Sequence, residues 1–464
     1  MERLRVGSAD GPVSAAAAPV VLAGRRAADP GEPTQRWVYF LYALIFISFA
    51  AISYFQVHGV VVRLLRIAEQ HQGIRPFLYP SLLWIAMGLL LLGFRTCLWV
   101  AYRPHAPAAW EAAPTLSVII PAYNEGAMVL QAIESVARAH YPRDRLEILV
   151  VDDGSTDDTW SYIRRAAGRY PGLVTALRQD RNRGKREALA IGFERARGDV
   201  FVTLDSDSVI EPGALLALAG PLRDARIGAV AGKVLAYNRE GGIIPRMLHV
   251  RYILSFDMLR SVESVYRNVY CCPGALTALR AAAVRQVFER WRHQRFLGRR
   301  CTFGEDRAMT NFLFEAGYDT VYQRRAVVRT LVPTAFANLC KMLLRWERSG
   351  VREDVRFARI VWRRPLPTRL IAIFDRFVIN SRHVVYYTSF VTLVHLGAHH
   401  PSMIVRTLTA MGFVSLFNVL YYLRSERSFD FIYGVLYTYF SALTLFWIFP
   451  YAVLTVRARA WLTR

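Results

Sequence analysis

The sequence predicts an α/β domain with a doubly wound sheet, placed between helices that cross a membrane. Two observations carry this expectation. Residues 116–120, 148–151 and 200–204 are short runs rich in Val and Ile, each ending in a polar loop, and they alternate with helical patterns at 128–139 and 185–196. That alternation is the signature of buried parallel strands joined by helices, with ligands expected at the carboxyl ends of the strands. Hydrophobic residues make up 53% of the 464 and gather at the two ends of the chain, as they do when membrane segments flank a soluble core.

Taken in order, residues 1–36 contain an Ala run, Arg25 and Arg26, but neither the apolar core of a signal peptide nor a helical period. They read as a disordered cytoplasmic tail. Residues 37–57 carry no charge and, at ~1.5 Å per residue, can cross a hydrocarbon core of ~30 Å. A second uncharged run, 77–94, is closed by Arg95 and Trp99, residues suited to the interface, so 37–100 are assigned two transmembrane helices. Residues 101–114 form a Pro- and Ala-rich linker and 115–350 the soluble domain. Residues 351–382 mix Arg with Trp, Phe, Ile and Leu and include Pro365 and Pro367, as expected of helices lying in the membrane interface. Residues 383–456 hold about three more apolar stretches, giving five crossings in all, with six as the alternative. The last contains Pro450 and is expected to bend or re-enter. A basic tail, 457–464, then places Arg457, Arg459 and Arg464 on the far side, against the positive-inside tendency.

The formal charge of +23 is not read as that of a nucleic-acid binder, because no basic cluster with interleaved aromatics forms a recognisable binding module and the Arg residues lie largely beside apolar spans. Positive-inside topology and attraction to anionic lipid or ligands account for it. The five cysteines, Cys97, Cys271, Cys272, Cys301 and Cys340, show neither zinc-ligand spacing nor the density of a disulfide scaffold, and read as reduced thiols.

Four motifs carry chemistry. At the end of the second strand lie Asp152 and Asp153, in Val-Asp-Asp-Gly-Ser-Thr-Asp; carboxylates there can accept hydrogen bonds from a base or ribose. Lys185 and Arg186, in Asn-Arg-Gly-Lys-Arg-Glu, open a helix, which suits a diphosphate. Asp205 and Asp207, two residues apart after residues 200–204, can hold a divalent cation that bridges diphosphate oxygens. Asp306, in Phe-Gly-Glu-Asp-Arg at a loop-to-helix transition, is placed to act as a general base, and Arg345-Trp346 offers phosphate contact and a stacking face. Each signal alone is common: an Asp-Asp-Gly-Ser turn is usually a turn, a lone acid a helix cap, and an Arg-Trp pair an interfacial anchor.

In this order and spacing the motifs resemble the processive membrane members of glycosyltransferase family 2: hyaluronan synthases, rhizobial chitin-oligosaccharide synthases and cellulose synthases. The likeness covers about residues 115–350 and is strongest toward the hyaluronan and chitin-oligosaccharide branch, through Asn182 to Arg186, Cys271 to Gly274, Gln294 to Gly298, and Gly304 to Arg307 with Thr310. It implies a GT-A-type (Rossmann-like) domain inserted between transmembrane helices, with interfacial amphipathic helices. It further implies that Asp152 and Asp153 hold the nucleoside, Lys185, Arg186 and Asp205 the donor diphosphate, and Asp205 and Asp207 a Mg²⁺ or Mn²⁺. Asp306 would take the acceptor proton, Gly274, Glu305 and Trp346 would meet the acceptor, and Arg345 and Trp346 would cover the donor. The family motif is Gln-x-x-Arg-Trp; here Met342 stands in the Gln position.

The activity so implied is inverting polymerisation of sugar from UDP-N-acetylglucosamine, UDP-glucuronate or UDP-glucose into a β-linked polysaccharide passed across the membrane. The partners implied are the nucleotide-sugar donor, the growing polysaccharide, the lipid bilayer and accessory secretion subunits, with no nucleic acid. The place implied is a bacterial inner membrane with the catalytic domain cytoplasmic. Two other readings are a nonprocessive transferase that adds one sugar to a lipid carrier and a non-catalytic nucleotide-sugar receptor.

Overall fold

The computed structural model describes residues 75–458 except His400 and Arg427, with scattered residues between Ile47 and Gln72. The expected tail 1–36 and nearly all of the expected span 37–57 lie outside the described residues. The strands are β1 (Leu116–Ala122), β2 (Leu146–Asp152), β3 (Val174–Arg178), β4 (Val200–Leu204), β5 (Ser208–Ile210), β6 (Ile227–Ala236), β7 (Leu276–Arg280), the short hairpin β8 (Arg295–Phe296) and β9 (Arg299–Arg300), and β10 (Asp319–Thr330). Helix α1 (Arg75–Ala101) precedes them. Among them lie α2 (Met128–Ala137), α3 (Thr159–Arg169), α4 (Lys185–Arg195), α5 (Ala214–Ala219), α6 (Ile243–Tyr252), α7 (Leu259–Val265), α8 (Ala281–Arg292) and α9 (Glu305–Glu315). After them come α10 (Phe336–Ile360), α11 (Leu366–His399), α12 (Ser402–Glu426), α13 (Phe431–Thr444) and α14 (Ile448–Leu454).

Eight strands form one sheet in the order β3-β2-β1-β4-β7-β6-β10-β5. Strands β3, β2, β1 and β4 are parallel, as the sequence pattern predicts. The other half departs from an all-parallel sheet: β7 is antiparallel to both β4 and β6, and β5 is antiparallel to β10. Strand β7 is entered from α7 through a loop rather than a crossover helix, so it runs back along β4 with Leu276 opposite Leu204. The loop before β7 therefore opens on the same edge as the ends of β1, β2 and β4.

The central strand β1 is buried throughout because helices cover both faces, which is why it reads as a continuous apolar run. Its residues still alternate: Val118 and Ile120 pack with Val129 and Ile133 of α2, whereas Ile119 packs with Leu189 and Phe193 of α4. Helix α4 comes so close to β1 that a Cβ on Gly192 would lie 2.3 Å from Ile119 Cγ2.

Between α6 and α7 the backbone makes a π-helical turn, Ile253–Met258. It turns Asp257 into the interior, where Arg324 Nε of β10 donates to Oδ1 at 2.7 Å and Tyr322 Oη donates to the same oxygen at 3.1 Å. Ser425 Oγ of α12 donates to Oδ2 at 3.1 Å, and Lys233 of β6 sits 3.6 Å from Asp257 and 3.2 Å from Glu426. Helix α11 runs unbroken from 366 to 399, so the expected division at 382 falls inside it. Among the described residues no single helix is long and apolar enough to cross a membrane; α13 and α14, meeting at 51°, pass that test as a bent pair by length and composition. The bend precedes Pro450, which lies in the first turn of α14, where proline is tolerated.

Gly192→Ala is expected to lower stability. The gain in helix propensity, about 1 kcal/mol, is outweighed by overpacking against a buried Ile, typically about 1–3 kcal/mol. A lower unfolding midpoint in denaturant checks this, and an unchanged or higher midpoint counts against it.

Candidate active site

The ends of β1, β2 and β4, the loop before β7 and the start of α9 together border a cleft of about 1250 Å³, which α10 also lines. At the end of β2 the two aspartates part. Asp153 lines the cleft, and its carboxylate is fixed by Gln179 Nε2 (2.7 Å) and by the backbone N–H groups of Arg183 and Gly184 (2.8 Å each). Gly154 makes this possible: at φ +70° it lets the backbone of Arg181 approach to where a Cβ would be 2.6 Å away. Burial pushes the Asp153 carboxyl up to about 6, against the pull of the two backbone N–H groups. Asp152 is wholly buried, accepts Ser155 N–H at 3.1 Å and pairs with Arg178 Nε at 3.1 Å. It shapes the loop and does not border the cleft.

Lys185 and Arg186 part in the same way. Lys185 Nζ, at the start of α4, bonds Asp205 and lies 3.3 Å from Glu305 Oε1. Burial alone would lower its pKa; Asp205 and Glu305 outweigh burial and hold it protonated. Arg186 points the other way, into the protein. Its NH1 donates to the Trp291 carbonyl at 2.5 Å and its NH2 to Gln294 Oε1 at 3.0 Å. The structure therefore does not bring Arg186 to the cleft.

Asp205 and Asp207 both line the cleft. Thr330 Oγ1 at 3.0 Å and Ser208 Oγ at 3.1 Å donate to Asp207 Oδ1. Two carboxylates at one strand end are hard oxygen donors of the kind that hold Mg²⁺ or Mn²⁺ when diphosphate oxygens and water complete the shell. The residues fit such an ion. Among the described residues no cluster of three or more His, Cys, Asp or Glu side chains is arranged for a metal, so the phosphate would have to supply the remaining ligands.

Asp306 stands in the first turn of α9, preceded by Gly304 at φ +70°. The backbone N–H groups of Gly274 (3.2 Å) and Arg307 (2.7 Å) donate to its carboxylate. Burial first, and the Glu305 charge second, hold Asp306 above the usual carboxylate range. Burial acts on Glu305 too, but Lys185 overcomes it and keeps that group below its ordinary value. A side chain on Gly274 would intrude here, since its Cβ would be 2.8 Å from Lys185 Nζ and 3.4 Å from Asp205 Oδ1.

Arg345 and Trp346 line the cleft from α10, with Met342 one turn earlier. The Trp346 ring lies 6.2 Å from Tyr252 and 6.4 Å from Phe256, and the Arg251 guanidinium sits 5.6 Å from its centre. Sequence reasoning missed Arg251, Tyr252 and Phe256, which α6 and the π turn deliver to the cleft wall; nothing in their residue types signals a π turn. Beyond Trp346 the cavity continues to Arg382 and His383 on α11 and to Phe449 and Val453 on α14.

The chain is similar to several known proteins. Residues 117–288 match the Glycosyl transferase family 2 family. An N-acetylglucosaminyltransferase of Azorhizobium caulinodans is 30% identical over 360 residues, spanning 76% of this chain and 87% of that protein. A hyaluronan synthase of Streptococcus pyogenes is 36% identical over 245 residues, 52% of this chain and 58% of that one. Among solved structures, a mannosyltransferase from Pyrobaculum calidifontis in complex with GDP-Man and Mn²⁺ superposes with a TM-score of 0.56 at 22% identity, covering 78% of this chain and 99% of that one; this likeness speaks for the fold. With a long relative at that identity, a matching domain and the GT-A arrangement of strand-end carboxylates, the chain belongs to glycosyl transferase family 2 and is a hexosyltransferase.

Proposed function

We propose that this enzyme is a processive, inverting polysaccharide synthase that passes its β-linked product through its own C-terminal helices, in a membrane with the catalytic domain on the cytoplasmic side. The observation that carries the reading is the continuity of the cavity, from Asp153 and Asp205, past Asp306 and Trp346, to Phe449 and Val453 on the bent helix pair. A transferase that adds one sugar and releases it has no use for such a path. The apolar side chains exposed along the C-terminal helices, Val391, Val394, Val405 and Leu436 among them, suit a lipid environment.

The donor is a nucleoside diphosphate sugar, with UDP-N-acetylglucosamine first and UDP-glucuronate or UDP-glucose next. Asp153 accepts hydrogen bonds from the nucleoside, while Lys185 and Arg345 neutralise diphosphate charge. Asp205 and Asp207 would hold Mg²⁺ or Mn²⁺, which supplies charge stabilisation to the departing diphosphate. Asp306 removes the proton of the acceptor hydroxyl as that oxygen attacks the anomeric carbon from the face opposite the leaving group, which inverts the centre. Its raised pKa brings the base nearer to working pH than a solvated carboxylate. Trp346 stacks on the acceptor sugar.

Release of nucleoside diphosphate by the purified protein, with each donor singly and in pairs and with Mg²⁺ or Mn²⁺, tests the reading when the product is also sized. Long polymer is expected; a single-sugar lipid product would replace this reading with one-step transfer. Asp306→Asn is expected to cut kcat on the order of 10²-fold or more while donor binding persists, and full activity in this variant would remove Asp306 from the mechanism.

Asp153 gives a pH dependence whose sign follows from its charge. Ionised, it is the stronger acceptor for the nucleoside, so donor affinity is expected to fall as pH drops through about 6. In Asp153→Asn that step should vanish. Calorimetric titration with UDP between pH 5 and 8 reads it, and a flat profile in the unaltered protein would contradict the assignment.

A further inference from the structure

The loop that presents Asp306 is held from outside the cleft by two side chains. Arg352 NH2 of α10 donates to the Phe303 carbonyl at 2.6 Å, and Trp291 Nε1 of α8 donates to the Glu305 carbonyl at 2.8 Å. Gly304, between them, is pressed against α10, where a Cβ would lie 2.1 Å from Ser349 Oγ. Both anchors lead to one carboxylate. Glu353 is fully buried, and its Oε1 accepts from Arg352 Nε (3.0 Å) and from Gln294 Nε2 (2.8 Å) while its Oε2 accepts from Asn311 Nδ2 of α9 (3.0 Å). Gln294 in turn accepts from Arg186, which also holds the Trp291 carbonyl.

We propose that Glu353 is a positioning residue for glycosyl transfer: it locks the end of α8, α9 and α10 into one register, so that the loop at 303–305 presents Asp306 to the reacting centre. A neutral hydrogen-bonding residue could fill the space, but an ionised carboxylate makes stronger bonds to a guanidinium and to amide donors. It also leaves neither Arg352 nor Arg186 as a lone buried cation. Glu353 does not border the cleft, so it acts only through the groups it holds. The nucleoside end, built on β2 and the loop at 181–184, lies outside the network. Disturbing Glu353 therefore misplaces the base while leaving nucleotide binding intact.

The inference rests on the glycosyl-transfer role given to Asp306. Its test is Glu353→Gln, compared with the unaltered enzyme for kcat, donor KM and UDP affinity by calorimetry. A loss of kcat of about tenfold or more, the scale of small misplacements at a reacting centre, is expected, with donor KM and UDP affinity within about twofold. Trp291→Phe, which removes the bond to the Glu305 carbonyl together with part of the buried indole packed against Phe193, is expected to show the same split and decides the matter if Glu353→Gln does not fold. Turnover retained by both variants, or kcat and UDP affinity falling in parallel, overturns the proposal while leaving the functional reading in place. No turnover by the unaltered protein with any donor overturns both.

Discussion

The Lys185 ammonium lies between Asp205 at the end of β4 and Glu305 at the start of α9, and the arrangement of the cleft follows from that placement. Opposite charges about 4 Å apart in a partly screened site interact by ~4 kcal/mol before desolvation is counted. Here the cation has two such partners and is itself half-buried. The pairing brings three distant parts of the chain to one point and sets the balance between the two acids of α9. Because Lys185 favours the ionised form of Glu305, the charge on Glu305 in turn opposes ionisation of Asp306. Two neighbouring carboxyls in one helical turn thus titrate apart, one fixed as an anion and the other poised to take a proton.

The strand direction of β7 makes this convergence possible. In an all-parallel sheet the loop entering a strand opens on the edge opposite the ligand. By running against β4, β7 turns its entry loop, with Cys271 and Gly274, toward Asp205 and Asp306. Gly274 then supplies an N–H to the base and no side chain to the space beside it.

Much of this was legible in the sequence, and the parts that were not share a cause. The alternation of apolar runs gave the parallel half, since burial on both faces leaves a compositional mark. The acids at strand ends were legible because a carboxylate after such a run has few reasons to be there. Adjacent residues were harder to separate. Asp152 and Asp153 differ by one step along a strand, which turns one of them into the interior, and Lys185 and Arg186 differ by about 100° around a helix; a motif names both members of each pair without saying which faces the cleft. The antiparallel entry of β7 and the π turn before α7 depend on which segments meet in three dimensions, so no local pattern announced them. Glu353 was silent for the same reason: an acid flanked by Arg352 and Asp354 reads as part of a solvated face.

The Asp257 cluster has a consequence for how the chain can be divided. Lys233 and Arg324 belong to the sheet, Asp257 to the π turn, and Ser425 and Glu426 to α12. Excising the sheet domain would strip Lys233 of one carboxylate and Asp257 of one hydroxyl donor, and would expose the buried Asp257 at the centre of a set of charges that now satisfy one another. The sheet is therefore tied to the C-terminal helices by ion pairs and hydrogen bonds, not only by chain connectivity. Sheet and helices share one electrostatic keystone, and the smallest unit that keeps it whole runs through α12.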